Sequence, residues 1–288
     1  MSIVIGTNRS SLQAANYLSA NQTQLSNTLS SLSSGSRLTN PSTDSGGLAV
    51  SMQLTATANR DSALINTIAN AQSFLQTQNG ALQVATSIVD RISQLVTMSK
   101  DVTLTSTNTA NYNTEFSQLQ SELTTIIGAQ YNGIALFTST TVSGSLSVLS
   151  TNDLSTSNAI SIAQLNLGST AGNVGNIGVL AAVSTSNTAS TGYTSLTAIG
   201  ASDITSFVNT IATFAATNGA EQSRLNFASQ LATNDRTSLQ SANSSISDTD
   251  IAQATTALAK WNVLVQAGTS MLTQANNSAQ TVLKLITG

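Results

Sequence analysis

Beginning at Ile251, apolar residues or glycine recur at alternating steps of three and four: Ala254, Leu258, Trp261, Val265, Gly268, Leu272, Ala275, Ala279, Val282 and Ile286. Near the other end Ala15, Leu18, Leu25, Leu29 and Leu32 keep the same spacing, with Gln22 as the one polar step. A mean spacing of about 3.5 residues places such positions on one stripe of an α-helix, and that stripe demands burial against another helix. Two seams at opposite ends predict a pair of terminal helices with the rest of the chain looped out between them. That is the layout of a subunit built to assemble.

Between the seams the pattern predicts further elements. A first helix over 5–34 ends before Asn40 and Pro41, with Gly46 and Gly47 just beyond, because proline disfavours helix in the residue before it. A long helix over 45–99 follows, its buried stripe marked by Leu64, Ile68, Ala71, Leu75, Leu82, Ala85, Val89, Ile92 and Val96, with Gln78 polar. At 1.5 Å per residue it would be roughly 80 Å long, a length suited to a rod. Thr103 to Asn113 reads as a polar turn, and Phe116, Leu119, Leu123 and Ile126 restore a helical stripe to about 129. Asn132 and Gly133 precede a short strand over 134–137. From 138 to about 200 Ser, Thr, Gly and Asn dominate, with alternating apolar positions at Val142, Leu146, Val148, Ile160, Ile162, Leu165 and Leu167. Short strands and hairpins, exposed and turn-rich, are expected there. Helical spacing returns at Ile204, Phe207, Ile211 and Phe214 and continues through Ala232, and Ser247 with Asp250 offers a capping-box start for the last helix. The fold class expected is mainly α: long terminal and central helices forming a coiled-coil rod, with a small β-hairpin-rich middle segment.

Composition sharpens this picture. Only 7% of the 288 residues are charged, against about 25% in an ordinary soluble domain. Helices with so little charge are poorly defended against self-association, so much of this surface is expected to pack against copies of itself. The chain has no Cys and no His, which removes the usual zinc sites, disulfides and Cys–His or Ser–His nucleophile pairs. No Ser stands three residues before Lys100, Lys260 or Lys284. A net charge of −3, with basic residues scattered singly, argues against nucleic acid. No apolar run reaches membrane-spanning length. Residues 1–8 lack the basic start and cleavage site of a secretory signal, so export, where it occurs, is expected through a dedicated exporter. Gly172, Gly175 and Gly178 lack the dinucleotide spacing and read as a flexible turn, Asp248 and Asp250 as helix-start residues, and Glu115, Glu122 and Glu221 as lone acids on polar faces. No catalytic, cofactor-binding or metal-binding residue is expected, and the chain is not expected to be an enzyme.

The stretch from Leu32 through Gly35, Arg37 and Asn40, followed by Asp44 and Gly47, resembles the signature after the first helix of bacterial flagellin. Gly80, Ala81, Leu82 and the run from Arg91 to Leu95 resemble its second helix, and Gln130 to Phe137 the turn that ends its third. Ser244 to Ala252 and Gln266 to Asn276 are close to its C-terminal pattern. The resemblance covers about 1–140 and 200–288.

The resemblance implies a structural subunit that polymerises into the flagellar filament for swimming motility, located outside the bacterial cell and exported without a cleaved signal peptide. It implies 1–44 plus 245–288 as a terminal coiled-coil inner domain, 45–137 plus 200–244 as a helical rod domain, and 138–199 as a short solvent-facing β/turn segment. The assembly seam expected comprises Leu18, Leu25, Leu29, Leu32, Leu258, Trp261, Val265, Gly268, Leu272, Ala275, Ala279 and Val282. Arg91 and Leu95 match the second-helix motif through which family members are sensed, as receptor-facing or intersubunit contacts. Partners implied are further copies of the chain, the flagellar export apparatus, an export chaperone, the filament cap, hook-associated proteins and an innate immune receptor, with neither nucleic acid nor membrane insertion. A hook–filament junction protein and a secreted flagellin-like adhesin or immune ligand are the alternative functions.

Overall fold

A computed structural model describes residues 8–138, 144–151, 158–167, 177–181 and 192–287, with the backbone alone at 282–287. Among the described residues six α-helices and four strands follow in the order α1 (Arg9–Ser34), α2 (Ser45–Ser99), α3 (Ser106–Ile127), β1 (Gln130–Tyr131), β2 (Ile134–Ala135), β3 (Gly144–Leu149), β4 (Ala159–Gln164), α4 (Ile177–Ala181), α5 (Ala201–Ser247) and α6 (Ile251–Thr287), with a short 3-10 turn at Leu196–Ala198 before α5. The chain is mainly α with two small antiparallel hairpins in its middle, as the hydrophobic pattern predicts. Val142, Gly172, Gly175 and the side chains of Val282 and Ile286 lie outside the described residues, as does the stretch 5–7 expected to open the first helix.

Capping sets several boundaries. The Asn8 side chain accepts from the amide of Ser11 (3.1 Å) to open α1, and Gly35 closes it in the left-handed region (φ 71°). α3 starts well before Phe116, so the expected turn over 103–113 is mostly helix. Its first turns are polar and give no apolar stripe, but Thr105 accepts from the amide of Asn108 (3.3 Å) and nucleates the helix there. Asp250, not Ser247, caps α6, accepting from the amides of Ala252 and Gln253 (2.9 and 3.1 Å). Asn132 (φ 50°) and Gly133 (φ 80°) join β1 to β2 in the doubly left-handed turn that Asn-Gly favours.

The chain divides into two compact units, one made of residues up to 58 with those from 237 onward, the other of residues 59–236. The second unit holds the large core. The α2 stripe from Leu64 to Val96 is buried with Phe116, Leu123 and Ile126 of α3 and with Phe207, Ile211, Leu225, Ala228 and Ala232 of α5. The middle segment departs from the expectation of an exposed stretch. Ile160, Ile162, Leu165, Leu167, Ile177, Val179, Leu180, Tyr193, Leu196 and Ile199 are all buried in this same core. Gly178 lies inside α4 and is buried, not in a turn. Polar composition hid this, because the few apolar residues here stand where each can reach the helices, and burying one such side chain is worth about 1.5–3 kcal/mol.

Irregular backbone entering a core must have its hydrogen bonds met. Helix side chains do this. Gln78 of α2 donates through Nε2 to the carbonyls of Leu136 (2.8 Å) and Ala163 (3.4 Å). Asn218 of α5 donates to the Leu75 carbonyl (3.0 Å) and to Gln78 Oε1 (2.7 Å). Gln120 of α3 donates to the carbonyls of Leu180 and Tyr193 (2.9 and 3.0 Å). Glu221, expected on a solvated face, accepts from the Ala163 amide (2.9 Å) instead. Gln78→Leu keeps the volume but leaves the Leu136 carbonyl without its donor and removes one of the two acceptors of Asn218 Nδ2, so chemical denaturation is expected to show a loss of about 1–3 kcal/mol.

Candidate assembly interface

Within the first unit α1 and α6 run antiparallel. Asn8 donates through Nδ2 to the Ala275 carbonyl (3.0 Å) at one end of the pair. At the other, the amides of Arg37 and Thr249 donate to Ser247 (2.8 Å) and Gly35 (3.0 Å), with Ser36 and Asp248 bridged in antiparallel fashion. Midway, the helices approach closely at Gly268. A Cβ built there would stand 3.2 Å from Leu18 Cδ1 and 3.8 Å from Leu18 Cα.

On α1 the partly buried positions are Ser11, Ala14, Leu18, Asn21, Leu25, Thr28 and Leu32, joined by Ser31. Ala15 and Leu29 are exposed, so Leu18, Leu25 and Leu32 belong to two overlapping rows. The row facing α6 is completed by small and polar residues, which a search for apolar positions misses. Its 3-4 spacing is the signal that could have found it. On α6, Ala254 is buried and Leu258, Trp261, Val265, Gly268, Leu272 and Ala275 are partly buried, with Ala257 and Leu264 beside them; Ala279 is exposed. Lys260 places its ammonium 5.0 Å from the Trp261 ring centroid.

This pairing leaves much apolar surface open. Among the described residues of this unit only Leu38, Ala58 and Ala254 are buried hydrophobics. Leu12, Tyr17, Leu29, Val50, Met52, Ile251, Val263 and Met271 are exposed, Leu29 at 48% and Val263 and Met271 at 64%. Charge is equally sparse: Arg9 is the one charged residue on α1, and Lys260 and Lys284 are those on α6. Isolated helices of this kind are marginal in water, and an apolar surface of this extent marks a contact site.

The turn between α1 and α2 is held by Asp44. Its carboxylate accepts from the Gly47 amide (2.7 Å) and pairs with Arg37 (3.3 Å). A Cβ at Gly47 would collide with that carboxylate, so glycine is required for the cap. The Gly47 hydrogen bond, then Arg37, hold the Asp44 carboxyl below its ordinary range. A depressed pKa contributes stability above the unfolded value that is lost as pH falls through the folded one. Amide exchange at Gly47 is therefore expected to accelerate, relative to its intrinsic rate, once pH drops below the usual aspartate range. Asp44→Asn should remove that dependence.

Arg91 and Leu95 do not share a surface. Arg91 is exposed and donates to Glu115 (2.7 Å) and Gln94 (3.2 Å). Leu95, expected to face a partner, is 0% exposed in the core of the second unit, because its position continues the Ile88, Ile92 stripe of α2. Among the described residues no acidic cluster could hold a metal ion, and no helix is long and apolar enough to cross a membrane.

Residues 5–142 match the bacterial flagellin N-terminal helical region, and residues 202–286 match the bacterial flagellin C-terminal helical region. The chain is 27% identical over 283 residues to a flagellin of Listeria innocua, covering 98% of this chain and 99% of that protein. It is 30% identical over 286 residues to a flagellar filament 30.7 kDa core protein of Treponema maltophilum, covering 99% of this chain and 100% of that one. A flagellin of Halalkalibacterium halodurans is 27% identical over 298 residues, again spanning both chains almost completely.

Proposed function

The chain belongs to the bacterial flagellin family, and from that premise we propose how it does its work as a structural subunit of the flagellar filament. The family's product is a filament outside the cell that serves motility, and its subunits polymerise with copies of themselves. Such a polymer arises when one patch of a subunit binds a different patch of the next through a repeated screw operation. Its role is mechanical, and a structural family fits a protein without catalysis.

The observation that carries the assembly reading is the unclosed apolar surface of the first unit. In the proposed filament, neighbouring subunits cover the outer row of α1, with Leu29 beside the shared Leu18, Leu25 and Leu32, and the outer face of α6, with Val263 and Met271. Leu258, Trp261, Val265, Gly268, Leu272 and Ala275 hold α6 to its own α1, and Ala279 and Val282 extend the seam toward the next copy. In the proposed filament, residues 1–44 with 245–288 serve as the terminal coiled-coil inner domain, 45–137 with 200–244 as a helical rod domain, and 138–199 as a short β/turn segment. Arg91 is an intersubunit candidate on the exposed face of α2.

Export without signal-peptide cleavage, through the flagellar export apparatus and with a chaperone, is the route that fits a subunit whose terminal helices are this apolar and this uncharged. The filament cap and hook-associated proteins are the partners expected at the two ends of the polymer, and an innate immune receptor is a further partner inferred from the family. Electron microscopy of purified chain seeded with filament fragments tests the reading. Long homopolymeric helical tubes are expected, and a protein that stays monomeric under seeding would overturn it.

A further inference from the structure

Glu221 lies where a charge is poorly hydrated. It is 8% exposed on α5, in the core of the second unit. Its Oε1 accepts from the Ala163 amide of β4 (2.9 Å), while its Oε2 is buried without a hydrogen-bond partner. Ala163 is held from both sides, since its carbonyl receives Gln78 from α2 (3.4 Å). β4 pairs with β3 through Ser145 opposite Ala163 and leads directly into buried Leu165 and Leu167. The Glu221 carboxyl is thus a fastening between α5 and the hairpin, and half of it is unsatisfied.

The groups that face it are neutral. β3 and β4 carry no ionisable residue, and α2 has none between Asp61 and Asp90, so the facing turn presents Gln78 and its amide partner Asn218. Arg224, one turn along α5, is the only charge acting on the carboxyl among the described residues. An ionised carboxylate in such a site needs more than one N–H donor to offset the loss of water, and an unpartnered buried oxygen makes that cost larger when charged than when neutral.

We propose that Glu221 is a proton-operated latch: protonated, it lets the β3–β4 hairpin seat firmly on α5, and ionised, its buried charge loosens that docking. Burial pushes the carboxyl's pKa up, and the Ala163 hydrogen bond and Arg224 pull it down by less. A raised folded pKa gives a contribution that is fully present below the unfolded value and lost as pH rises through the folded one. The latch therefore tightens on acidification, opposite in sign to the Asp44 cap.

The chain has three glutamates, Glu115, Glu122 and Glu221, so carboxyl-labelled glutamate followed by NMR in the full-length monomer resolves the titration directly. Glu221 is expected to titrate above the usual glutamate range. Amide exchange at Ala163, corrected for its intrinsic rate, should rise severalfold as pH climbs through the Glu221 titration and level off above it. Glu221→Gln keeps an oxygen for the Ala163 amide and cannot ionise, so its Ala163 exchange should be flat across that range. Titration of Glu221 within or below the usual glutamate range, a flat wild-type profile, or a Glu221→Gln profile that keeps the wild-type slope would each overturn the latch. Should Glu221→Gln fail to fold, the wild-type titration decides alone.

Discussion

Replacing Gly268 with leucine is expected to raise the critical concentration for polymerisation by roughly fivefold to a hundredfold, whereas Gly268→Ala leaves it near the wild-type value. The added Cβ of alanine would meet the flexible end of Leu18 at 3.2 Å, which a small side-chain adjustment relieves. Alanine also gains about 1 kcal/mol of helix propensity over glycine, so the two effects nearly cancel. Leucine cannot be accommodated this way, because its further carbons point at the Leu18 backbone, whose Cα would lie 3.8 Å from the new Cβ. Overpacking of this kind costs about 1–3 kcal/mol, and about 1.4 kcal/mol is a factor of ten in an equilibrium constant. The strain recurs in every subunit. Circular dichroism should show helix loss confined to the terminal unit, with the 59–236 core intact, and equal polymerisation of both variants would place α1 and α6 apart.

Leu29→Asp separates pairing within the subunit from assembly between subunits. Leu29 is 48% exposed in the single chain, so its replacement should change monomer stability by about 0.5 kcal/mol or less. In a filament where a neighbour covers it, an unpaired carboxylate is buried, and breaking the contact this way costs about 3 kcal/mol or more. Sedimentation of seeded polymer is expected to show at least a hundredfold rise in critical concentration with an unchanged monomer spectrum. A monomer that melts early, or a variant that polymerises normally, would assign Leu29 to the α6-facing row or to open solvent.

These two variants rest on features that were unequally legible in the sequence. Heptad spacing identifies the inward row of α6 from Ala254 to Ala275, since every position of it is apolar or small, but not Ala279, which is exposed. It shifts α1 partly onto the wrong row, since Ser11, Asn21 and Thr28 face α6 while apolar Ala15 and Leu29 do not. A narrow groove at Gly268 needs small neighbours more than greasy ones, so polarity is a poor guide there. The long helix α2 is clear from its stripe, and the place of Leu95 between Ile92 and Val96 assigns it to the core, against the surface role that the family resemblance implies. The middle segment misled most. Its Ser- and Thr-rich composition points to exposure, yet Ile160, Ile162, Leu165 and Leu180 fill the core, and Gln78, Gln120 and Glu221 meet the backbone that comes with them. A polar residue breaking an otherwise apolar stripe, as Gln78 does, is the sequence trace of that arrangement, and Glu221 is another instance of it.

The central claim is that the outer row of α1 is closed by another copy of the chain. Because the chain has no cysteine, Leu29→Cys introduces a unique thiol, and its maleimide-labelling rate can be compared in monomer and filament. Rapid labelling of the monomer and about tenfold or greater protection in the filament are expected, the signature of a side chain removed from water by a neighbour. Equal rates in the two states would contradict the claim.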